Sequence, residues 1–318
     1  MESSAPIVIS VIIATRDTCP LVCAAIRSVV ESADDLVKEI IVVDNGSVDD
    51  TATVLSRDFP TVKYLRSEEN LGFARANNLG ADAACGEFLL LLNSDARLQP
   101  DSLGTAVDWM RRHLDCGIVG GQLLNADGSR QNSIANFPTL ATELLNKSLL
   151  RRLWPQKFPG KEHEFQKVED VDTVLGAFML IRKLLWDELA GLDERYFFFF
   201  EETDFCLRAR RSRKRVVHLS DVRVWHGQGQ TAMQIPVGVR IEYWRSRYAY
   251  FAKNHSSATR AILTAGLILR LLIDWVGAVF LTLVTLGLSA RWPSRVRICS
   301  ALIGWHLRGQ PVAGGLPR

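Results

Sequence analysis

Short apolar segments alternate with stretches of helical length through the first 125 residues of the chain. Four of the apolar segments are continuous and rich in β-branched residues or Leu: residues 7–14 (IVISVIIA), 39–43 (EIIVV), 62–65 (VKYL) and 87–92 (EFLLLL). Such runs are typical of strands buried on both faces, as in a parallel sheet. The intervening segments, such as 21–32 and 73–84, are long enough for helices. The pattern therefore predicts an α/β fold with a doubly wound, mostly parallel sheet and right-handed crossovers.

The pattern changes twice further along the chain. Residues 131–171 are less regular and contain three prolines, and they would form either a lid or an acceptor-binding insertion. Apolar segments return at 171–181, 216–219 and 222–225, but beyond about Ser257 the chain is apolar with interspersed Arg. We therefore divide the chain into a domain of residues 1–256 and a helical segment of residues 257–318 that associates with a membrane.

Composition narrows the class of partner. With 318 residues and 47 % hydrophobic content, the chain could form two average domains or one larger α/β domain with an appendage. The net charge of +3 is too small to indicate nucleic acid, which we do not expect as a partner. From Arg260 onward there are seven Arg, no Lys and one acidic residue, Asp274. A segment that is both basic and apolar fits an anionic membrane surface.

Three arrangements of this apolar segment are open: a helical pair packed on the main domain, a membrane span, or a re-entrant or interfacial hairpin. Residues 271–290 carry a single charge and are long enough to cross a bilayer. Basic residues flank both ends of the apolar stretch, however, and the positive-inside tendency opposes a single crossing. Arg270 and Asp274 could pair on one helix face. We favour the hairpin, with three tryptophans near the lipid headgroups: Trp275, Trp292 and Trp305.

The cysteines and the first residues predict a cytoplasmic location. The six cysteines show no CxxC pair and no accompanying His spacing, so we expect reduced, mostly buried thiols rather than disulfides or a zinc site. Residues 1–6 are polar and acidic, and the apolar run 7–14 is too short for an export signal. The folded domain should therefore lie on the cytoplasmic face of the inner (plasma) membrane.

Polar residues follow two of the predicted strands, where ligands of doubly wound sheets bind. Asp44 follows strand 39–43, and it could accept hydrogen bonds from a pyrimidine base or ribose; the alternative is an ordinary βα turn with a helix cap. Asn93-Ser94-Asp95 follows strand 87–92. A carboxylate at a buried strand end is costly unless it is solvated or paired, and Asp95 could bind Mg²⁺ or Mn²⁺ beside Asn93. The alternative is that Asp95 only initiates a helix.

Two later segments carry further candidate groups. Residues 196–204 (YFFFFEETD) place three acids against an aromatic wall, which would raise a carboxyl pKa and favour a general base; the alternative is an acidic helix N-terminus. His226, in WHGQGQT, could be a loop residue or could reach a metal or diphosphate. The basic run 208–215 (RARRSRKR) could be a solvated helix face or could contact a diphosphate or anionic lipids.

Together these segments resemble the family-2 glycosyltransferases, and among them the bacterial rhamnosyltransferase-like branch. The resemblance runs from about Ile9 to Thr231, roughly seven-tenths of the chain. It rests on eight segments in the family's order: VIIAT, VVDNGSVDDT, ENLGFARANNLGA, LLLLNSD, GGQLLNADGS, GAFMLIRK, GLDERYFFFFEETDFCLR and WHGQGQT. It implies a GT-A fold, an inverting reaction, a divalent cation, a dTDP- or UDP-sugar donor (dTDP-L-rhamnose favoured) and a glycan or polyprenyl-diphosphate-linked acceptor.

The resemblance also implies roles for individual residues. It places Asp95 on the metal, His226 near the metal and diphosphate, and the catalytic base at Glu202, supported by Glu201 and Asp204. The donor nucleotide would be bound by eight residues: Thr15, Asp44, Asn45, Asn70, Arg75, Asn78, Asn93 and Arg208. Two positions depart from the family pattern. The metal motif has one carboxylate instead of two, and the base is Glu where the family usually has Asp.

Two other functions fit the same sheet. A sugar nucleotidyltransferase would normally carry a Gly-rich, basic loop after the first strand, whereas this chain has ATRDTCP there. A membrane-bound, non-catalytic sugar-nucleotide-binding protein would keep the donor site but would not hydrolyse the donor.

Overall fold

The computed structural model describes residues 8–32, 36, 38–159, 165–227, 236–312 and 314–318. Residues 1–7, on which the expected lack of an export signal rests, lie outside this set. Residues 228–231, which complete the WHGQGQT segment, also lie outside it.

A large central sheet organises the main domain. The strands are β1 (Ile9–Thr15), β2 (Lys38–Asn45), β3 (Lys63–Ser67), β4 (Phe88–Leu92), β5 (Ala96–Leu98), β6 (Cys116–Leu124), β7 (Ile134–Ala135), β8 (Val168–Asp170), β9 (Thr173–Val174), β10 (Phe178–Arg182) and β11 (Arg215–His226). The sheet order is β3-β2-β1-β4-β10-β6-β11-β5, with β8 also pairing with β11 and β7 pairing with β9 apart from the sheet. Strands β3, β2, β1 and β4 are parallel, and so are β6 and β11, whereas β10 is antiparallel to both of its neighbours. The prediction of a mostly parallel sheet is confirmed.

Helices cover both faces of the sheet. They are α1 (Cys19–Glu31), α2 (Thr51–Asp58), α3 (Gly72–Asp82), α4 (Ser102–Arg112), α5 (Leu140–Leu144), α6 (Lys147–Leu153), α7 (Lys183–Glu188), α8 (Glu201–Arg211), α9 (Pro236–Asn254), α10 (Ser257–Val284) and α11 (Arg291–Leu307). Val11 and Ile13 pack in the core layer beneath α1 and α4, whereas Ile12 packs in the opposite layer with α3, α7 and α8. Alternate residues of β1 thus face two apolar layers, which is why the strand has an almost continuous apolar sequence.

The second half of the chain differs in detail from its predicted elements. The apolar runs 216–219 and 222–225 form one strand, β11, with a register irregularity between Leu219 and Arg223. The polar residues Ser220 and Asp221 fall in this irregularity. They interrupt the apolar pattern, although the strand itself continues through them.

The last two helices, α10 and α11, pack against each other and against α9. On α10, Leu263 and Leu267 are buried with Tyr196 and Phe200 of the main domain, which anchors the start of this helix. The outward side of α10 is apolar and exposed at eight positions: Ile262, Leu269, Leu272, Ile273, Val276, Phe280, Leu283 and Val284. A helical hairpin is therefore present. Its relation to a membrane and the division at residue 256 stay predictions.

Two details of the predicted hairpin are wrong. Trp305 is 1 % exposed and packs with Leu271 and Leu302, so it lies in the hairpin core rather than at a surface that lipid headgroups could reach. Asp274 forms its ion pair with Arg295 of α11 at 3.2 Å, instead of with Arg270 on its own helix. The sequence of α10 alone could not predict this ion pair, because Arg295 lies on a different helix.

All six cysteines are free, and four of them are buried: Cys23, Cys116, Cys206 and Cys299. Burial raises the pKa of the Cys23 thiol to about 11 and the pKa values of the Cys116 and Cys206 thiols to about 12. These thiols therefore stay protonated at neutral pH and pack as small apolar groups. The prediction of mostly buried thiols is confirmed.

Candidate functional site

The candidate polar residues gather at one edge of the sheet because of its topology. Thr15 and Asn45 end the parallel strands β1 and β2, and Asn93 follows β4. His226 ends β11, where the antiparallel pairing with β5 brings it opposite Ala96, directly after Asp95. Residues far apart in sequence thus share the carboxyl edge of the sheet, where doubly wound folds bind their ligands.

Asp44 is fully buried and held by two donors. The backbone N–H of Ser47 donates to Oδ1 at 2.8 Å, and the Tyr64 hydroxyl donates to Oδ2. Burial, together with this hydrogen bond to Asp44, raises the pKa of Tyr64 to about 12, so the phenol remains a donor at neutral pH. The Asp44 carboxylate is therefore fixed in orientation. Tyr64 was not singled out from the sequence, because its only signal is its position in β3, 20 residues away.

Thr15 and Asn45 connect neighbouring loops at this edge. The Thr15 hydroxyl lies 2.8 Å from that of Thr18, which donates to the Ser94 hydroxyl at 3.2 Å and so ties the ends of β1 and β4 together. The Asn45 amide donates to the carbonyl of Gly72 at 3.2 Å. Its buried Oδ1 has no hydrogen-bond partner within the described part of the chain. An unpaired buried acceptor is costly, which is consistent with a ligand completing the site.

Asp95 and His226 form a close pair, with Oδ1 3.4 Å from Nε2 and side chains 15 % and 12 % exposed. Gln131 orients the imidazole, because its amide donates to the His226 carbonyl at 2.7 Å and its Oε1 lies 3.1 Å from Nδ1. A carbonyl oxygen only accepts, so Nδ1 is the donor in this contact, and Nε2 faces Asp95. Asn93 Nδ2 lies 3.3 Å from this Nε2. Gln131 was not identified from the sequence.

The Asp95–His226 pair fits a divalent cation. Ligands at about 2.1 Å in adjacent octahedral positions lie about 3 Å apart, close to the observed separation of 3.4 Å. The orienting contact of Gln131 is of the kind that metal-bound imidazoles have. Among the described residues, no group of three or more His, Cys, Asp or Glu side chains forms a metal cluster. The remaining ligands would therefore be substrate oxygens and water, as the single carboxylate of the Asn-Ser-Asp motif implies.

The acids of the aromatic segment begin helix α8. Phe199 and Phe200, which precede it, both have φ of 72°, a region that costs non-Gly residues about 1–3 kcal/mol each. Glu201 is 4 % exposed, and Glu202 is partly exposed. Of the carboxyl oxygens that the structure describes, Oε2 of both residues is buried without a hydrogen-bond partner. Burial raises the pKa of both carboxyls above the ordinary value, and the charge of Glu202 raises that of Glu201 further.

Asp204 and Arg208 belong to a buried charge network. Arg208 Nε donates to Asp204 at 2.8 Å, and its terminal nitrogens donate to two backbone carbonyls in the turn 189–191. Lys253 of α9 contacts both Asp204, at 2.8 Å, and Asp193, at 2.6 Å. These contacts occupy the Arg208 guanidinium and tie α8 to α9, which indicates a structural role for both residues. The predicted donor contact of Arg208 has no support in this arrangement.

Of the other predicted donor residues, Asn70 lies just before α3, and Arg75 and Asn78 lie within it. Asn70 Oδ1 accepts from the backbone N–H two residues further on, at 3.1 Å. Arg75 pairs with Glu194 at 3.5 Å. The Asn78 side chain exchanges two 2.9 Å hydrogen bonds with the backbone of Leu192. Arg75 and Asn78 also line an open cleft of about 390 Å³ beside β3. The contacts of Asn78 are those of a packing residue, whereas Asn70 lies beside the edge that carries Thr15 and Asp44.

The chain is similar in sequence to known proteins. Residues 10–189, more than half of the chain, match the family described as Glycosyl transferase family 2. The N-acetylglucosaminyl-diphospho-decaprenol L-rhamnosyltransferase of Mycobacterium tuberculosis is 25 % identical over 237 residues, covering 70 % of this chain and 77 % of the relative. The low-salt glycan biosynthesis hexosyltransferase Agl10 of Haloferax volcanii is 28 % identical over 219 residues, covering 67 % of this chain and 66 % of that relative.

Among solved structures, S. aureus TarS 1–349 superposes with a TM-score of 0.53 over 82 % of this chain and 70 % of that chain, at 18 % sequence identity. TarS 1–349 has also been solved with UDP-GlcNAc, and that structure superposes with a TM-score of 0.52 over 82 % of this chain and 71 % of that chain, at 19 % identity. Similarity at this level of identity shows a shared fold, and the GT-A expectation is thereby confirmed.

Proposed function

The chain belongs to glycosyl transferase family 2, and on that basis we propose that it is an inverting enzyme that moves a sugar from a nucleotide sugar to a lipid-linked or glycan acceptor at the cytoplasmic membrane face. The favoured donor is dTDP-L-rhamnose and the favoured acceptor is a polyprenyl-diphosphate-linked saccharide. The rhamnosyl group and the lipid-linked acceptor are supported by the M. tuberculosis relative, whose name describes rhamnosyl transfer to a decaprenyl-diphosphate sugar. The dTDP carrier is the expectation from the sequence resemblance. The process served would be polysaccharide synthesis for the cell envelope.

The observation that carries this proposal is the Asp95–His226 pair at the carboxyl edge of the sheet. A carboxylate and an oriented imidazole, together with a fixed carboxylate at Asp44, form a site for a nucleoside diphosphate and its cation. Asp95 and His226 would hold Mg²⁺ or Mn²⁺. When bound, such a cation neutralises negative charge that develops on a diphosphate leaving group.

Glu202 is the proposed general base. It would remove the proton from an acceptor hydroxyl as that oxygen attacks the anomeric carbon and the bond to the donor diphosphate breaks. Its raised pKa makes the carboxylate a stronger base than an exposed Glu, and no hydrogen bond from the described residues occupies its Oε2. Inversion follows from a single displacement, because the acceptor attacks the face opposite the leaving group.

A panel of donors tests the proposed reaction. We expect the purified protein, with Mg²⁺ or Mn²⁺, to hydrolyse or transfer from one of dTDP-L-rhamnose, UDP-GlcNAc, UDP-glucose and UDP-galactose, with dTDP-L-rhamnose the most active. Release of dTDP or UDP is measured with and without a polyprenyl-diphosphate GlcNAc acceptor. Binding of a nucleotide without release would indicate a non-catalytic sensor. Formation of a nucleotide sugar from a sugar phosphate and a nucleoside triphosphate would indicate a nucleotidyltransferase.

The hairpin of α10 and α11 is the proposed membrane-association element. Helix α10 is long and apolar enough to cross a membrane by length and composition, and only 17 % of its most apolar 18-residue window is buried. The exposed face that remains is apolar, and α11 begins with a basic segment containing Arg291, Arg295 and Arg297. An apolar face beside basic residues favours a helix lying in the interface of an anionic membrane. Its anchor on Tyr196 and Phe200 would then keep the site near a lipid-linked acceptor.

Charging this face should release the protein from membranes. We expect Ile273→Asp combined with Phe280→Asp to move the protein to the soluble fraction, because both side chains are more than half exposed on α10. Leu184→Asp, at an apolar residue on α7 that is even more exposed, is the control and should stay bound. Transfer to a lipid acceptor should fall more than donor hydrolysis. Deleting residues 261–318 should also release the protein. That deletion would, however, expose Tyr196 and Phe200, which α10 covers, so the point variants are the more specific test.

Two results would contradict this topology. Retention of the doubly charged variant on membranes would show that α10 does not bind lipid. A tag attached after residue 318 that is cleaved by protease added outside intact cells would show a true membrane span.

A further inference from the structure

The described residues 311, 312 and 314–318, which we call the strap, lie between the end of the hairpin and the candidate donor site. Its beginning is held by two side chains: Trp305 Nε1 donates to the Pro311 carbonyl at 2.9 Å, and Arg245 donates to the carbonyls of Pro311 and Val312 at 3.0 Å. Gly315 lies so close to Arg245 and Glu242 that an added Cβ would be 2.7 Å from each. The strap is thus packed closely along α9.

The far end of the strap contacts residues of the donor edge. The Pro317 carbonyl accepts from Asn70 Nδ2 at 2.6 Å and from Arg16 Nη1 at 3.4 Å. Asn70 is one of the predicted donor residues, and Arg16 directly follows Thr15 at the end of β1. Arg318 completes the contact, with its guanidinium 4.7 Å from the Phe197 ring and 3.8 Å from buried Glu242.

These contacts place a protein carbonyl where a donor oxygen would be expected. Asn70 Oδ1 is already bound to the N–H of Gly72, which fixes the amide so that Nδ2 points at Pro317. Arg16 is partly exposed and offers a cation next to Thr15. A nucleotide diphosphate or ribose hydroxyl that used these two donors would have to displace the Pro317 carbonyl.

We propose that the strap is an intramolecular ligand of the donor site, which the nucleotide sugar must displace, and that Arg16 is a donor-binding residue masked by it. The inference rests on the proposed donor class. Because the strap continues directly from α11, it also links occupancy of the donor site to the proposed membrane-association element. The apparent nucleotide affinity of the full chain is therefore the affinity of the open site multiplied by the fraction of molecules in which the strap is displaced.

Removal of the strap tests the proposal through nucleotide binding alone. Isothermal titration with dTDP and with UDP, each with Mg²⁺, compares the full chain with the variant that lacks residues 311–318. We expect the truncated protein to bind its preferred nucleotide roughly tenfold more tightly, as for a site that is open in about one molecule in ten. A synthetic peptide of residues 311–318 should weaken that binding again, in competition with the nucleotide.

Point variants of the full chain test the proposal without any effect that truncation has on folding. Arg318→Ala loosens the strap and should tighten nucleotide binding by about half of the truncation effect on a logarithmic scale, with unchanged thermal unfolding. Arg151→Ala removes the same charge from an exposed position of α6 and should leave binding unchanged. Equal or weaker nucleotide binding in both the truncated protein and Arg318→Ala would overturn the proposal. If none of the proteins bound any nucleotide, the donor class would fail together with the strap.

Discussion

Asp95→Ala is expected to abolish sugar transfer while leaving the fold intact. Asp95 supplies the only carboxylate of the Asn-Ser-Asp motif and lies 3.4 Å from His226. Without it, the imidazole of His226 is the only one of the two proposed cation ligands that remains. Cation stabilisation of a leaving diphosphate is worth several kcal/mol, which corresponds to a loss of about 10³-fold or more in kcat. Donor turnover is measured in Mn²⁺ and Mg²⁺, and Mn²⁺ binding in the presence of nucleotide is followed by electron paramagnetic resonance.

The same site offers matched controls. Asp95→Asn keeps the size and a hydrogen-bonding oxygen but removes the charge, so it should lose Mn²⁺ affinity nearly as strongly. Asp187→Ala removes a carboxylate from an exposed pair with Lys183 and should change activity little, because such pairs contribute little. Excess EDTA should inactivate the unaltered protein. Full activity in EDTA, or an active Asp95→Ala protein, would exclude the metal role.

For Glu202→Gln, we expect kcat to fall by about 10²-fold or more with little change in donor binding. The amide has nearly the same shape but cannot accept the acceptor proton, and general-base catalysis contributes on the order of 10²–10⁴-fold. Since burial raises the pKa of Glu202, the base form of the unaltered enzyme should accumulate as pH rises through a value above 4.5. This acidic limb of the kcat profile should disappear in the variant. Steady-state transfer rates across pH, with donor affinity measured separately, check both expectations.

Neighbouring acids provide the comparison for Glu202. Glu201→Gln should retain most activity, because Glu201 is more deeply buried than Glu202, and burial together with the charge of Glu202 raises its pKa. Asp204→Asn should lower the thermal unfolding temperature rather than kcat, because Asp204 pairs with Arg208 and Lys253. A crippled Glu201→Gln or a stable but inactive Asp204→Asn, beside a mild Glu202→Gln, would show that the base is assigned to the wrong residue.

The sequence alone determined the sheet and several of its site residues, because their signals are local. A strand with a continuous apolar sequence such as IVISVIIA can bury all of its side chains only between two layers. Burial of both faces of β1 therefore followed from the sequence. Asp44 and Asp95 were identified because a polar residue directly after such a strand must lie at the ligand-binding edge. The start of α8 at Glu201 matches one of the two interpretations of the acidic cluster after the aromatic run, an acidic helix N-terminus.

Only the tertiary structure decided which groups meet, because those contacts join segments distant in sequence. Tyr64 reaches Asp44 across a strand pair, and Gln131 orients His226 from 95 residues away. From the sequence, the basic run 208–215 could be a solvated helix face or a diphosphate contact. In the structure, Asp204 and two carbonyls of the turn 189–191 bind the Arg208 guanidinium.

The same holds for the end of the chain. The strap is short and rich in Gly and Pro. Its sequence shows no apolar periodicity, so it predicts neither a helix nor a strand. Its approach to Asn70 is set by the hairpin of α10 and α11 and by the Arg245 contacts. Apolar periodicity determines which face of an element is buried, whereas the partner of a polar side chain depends on where the chain returns in space.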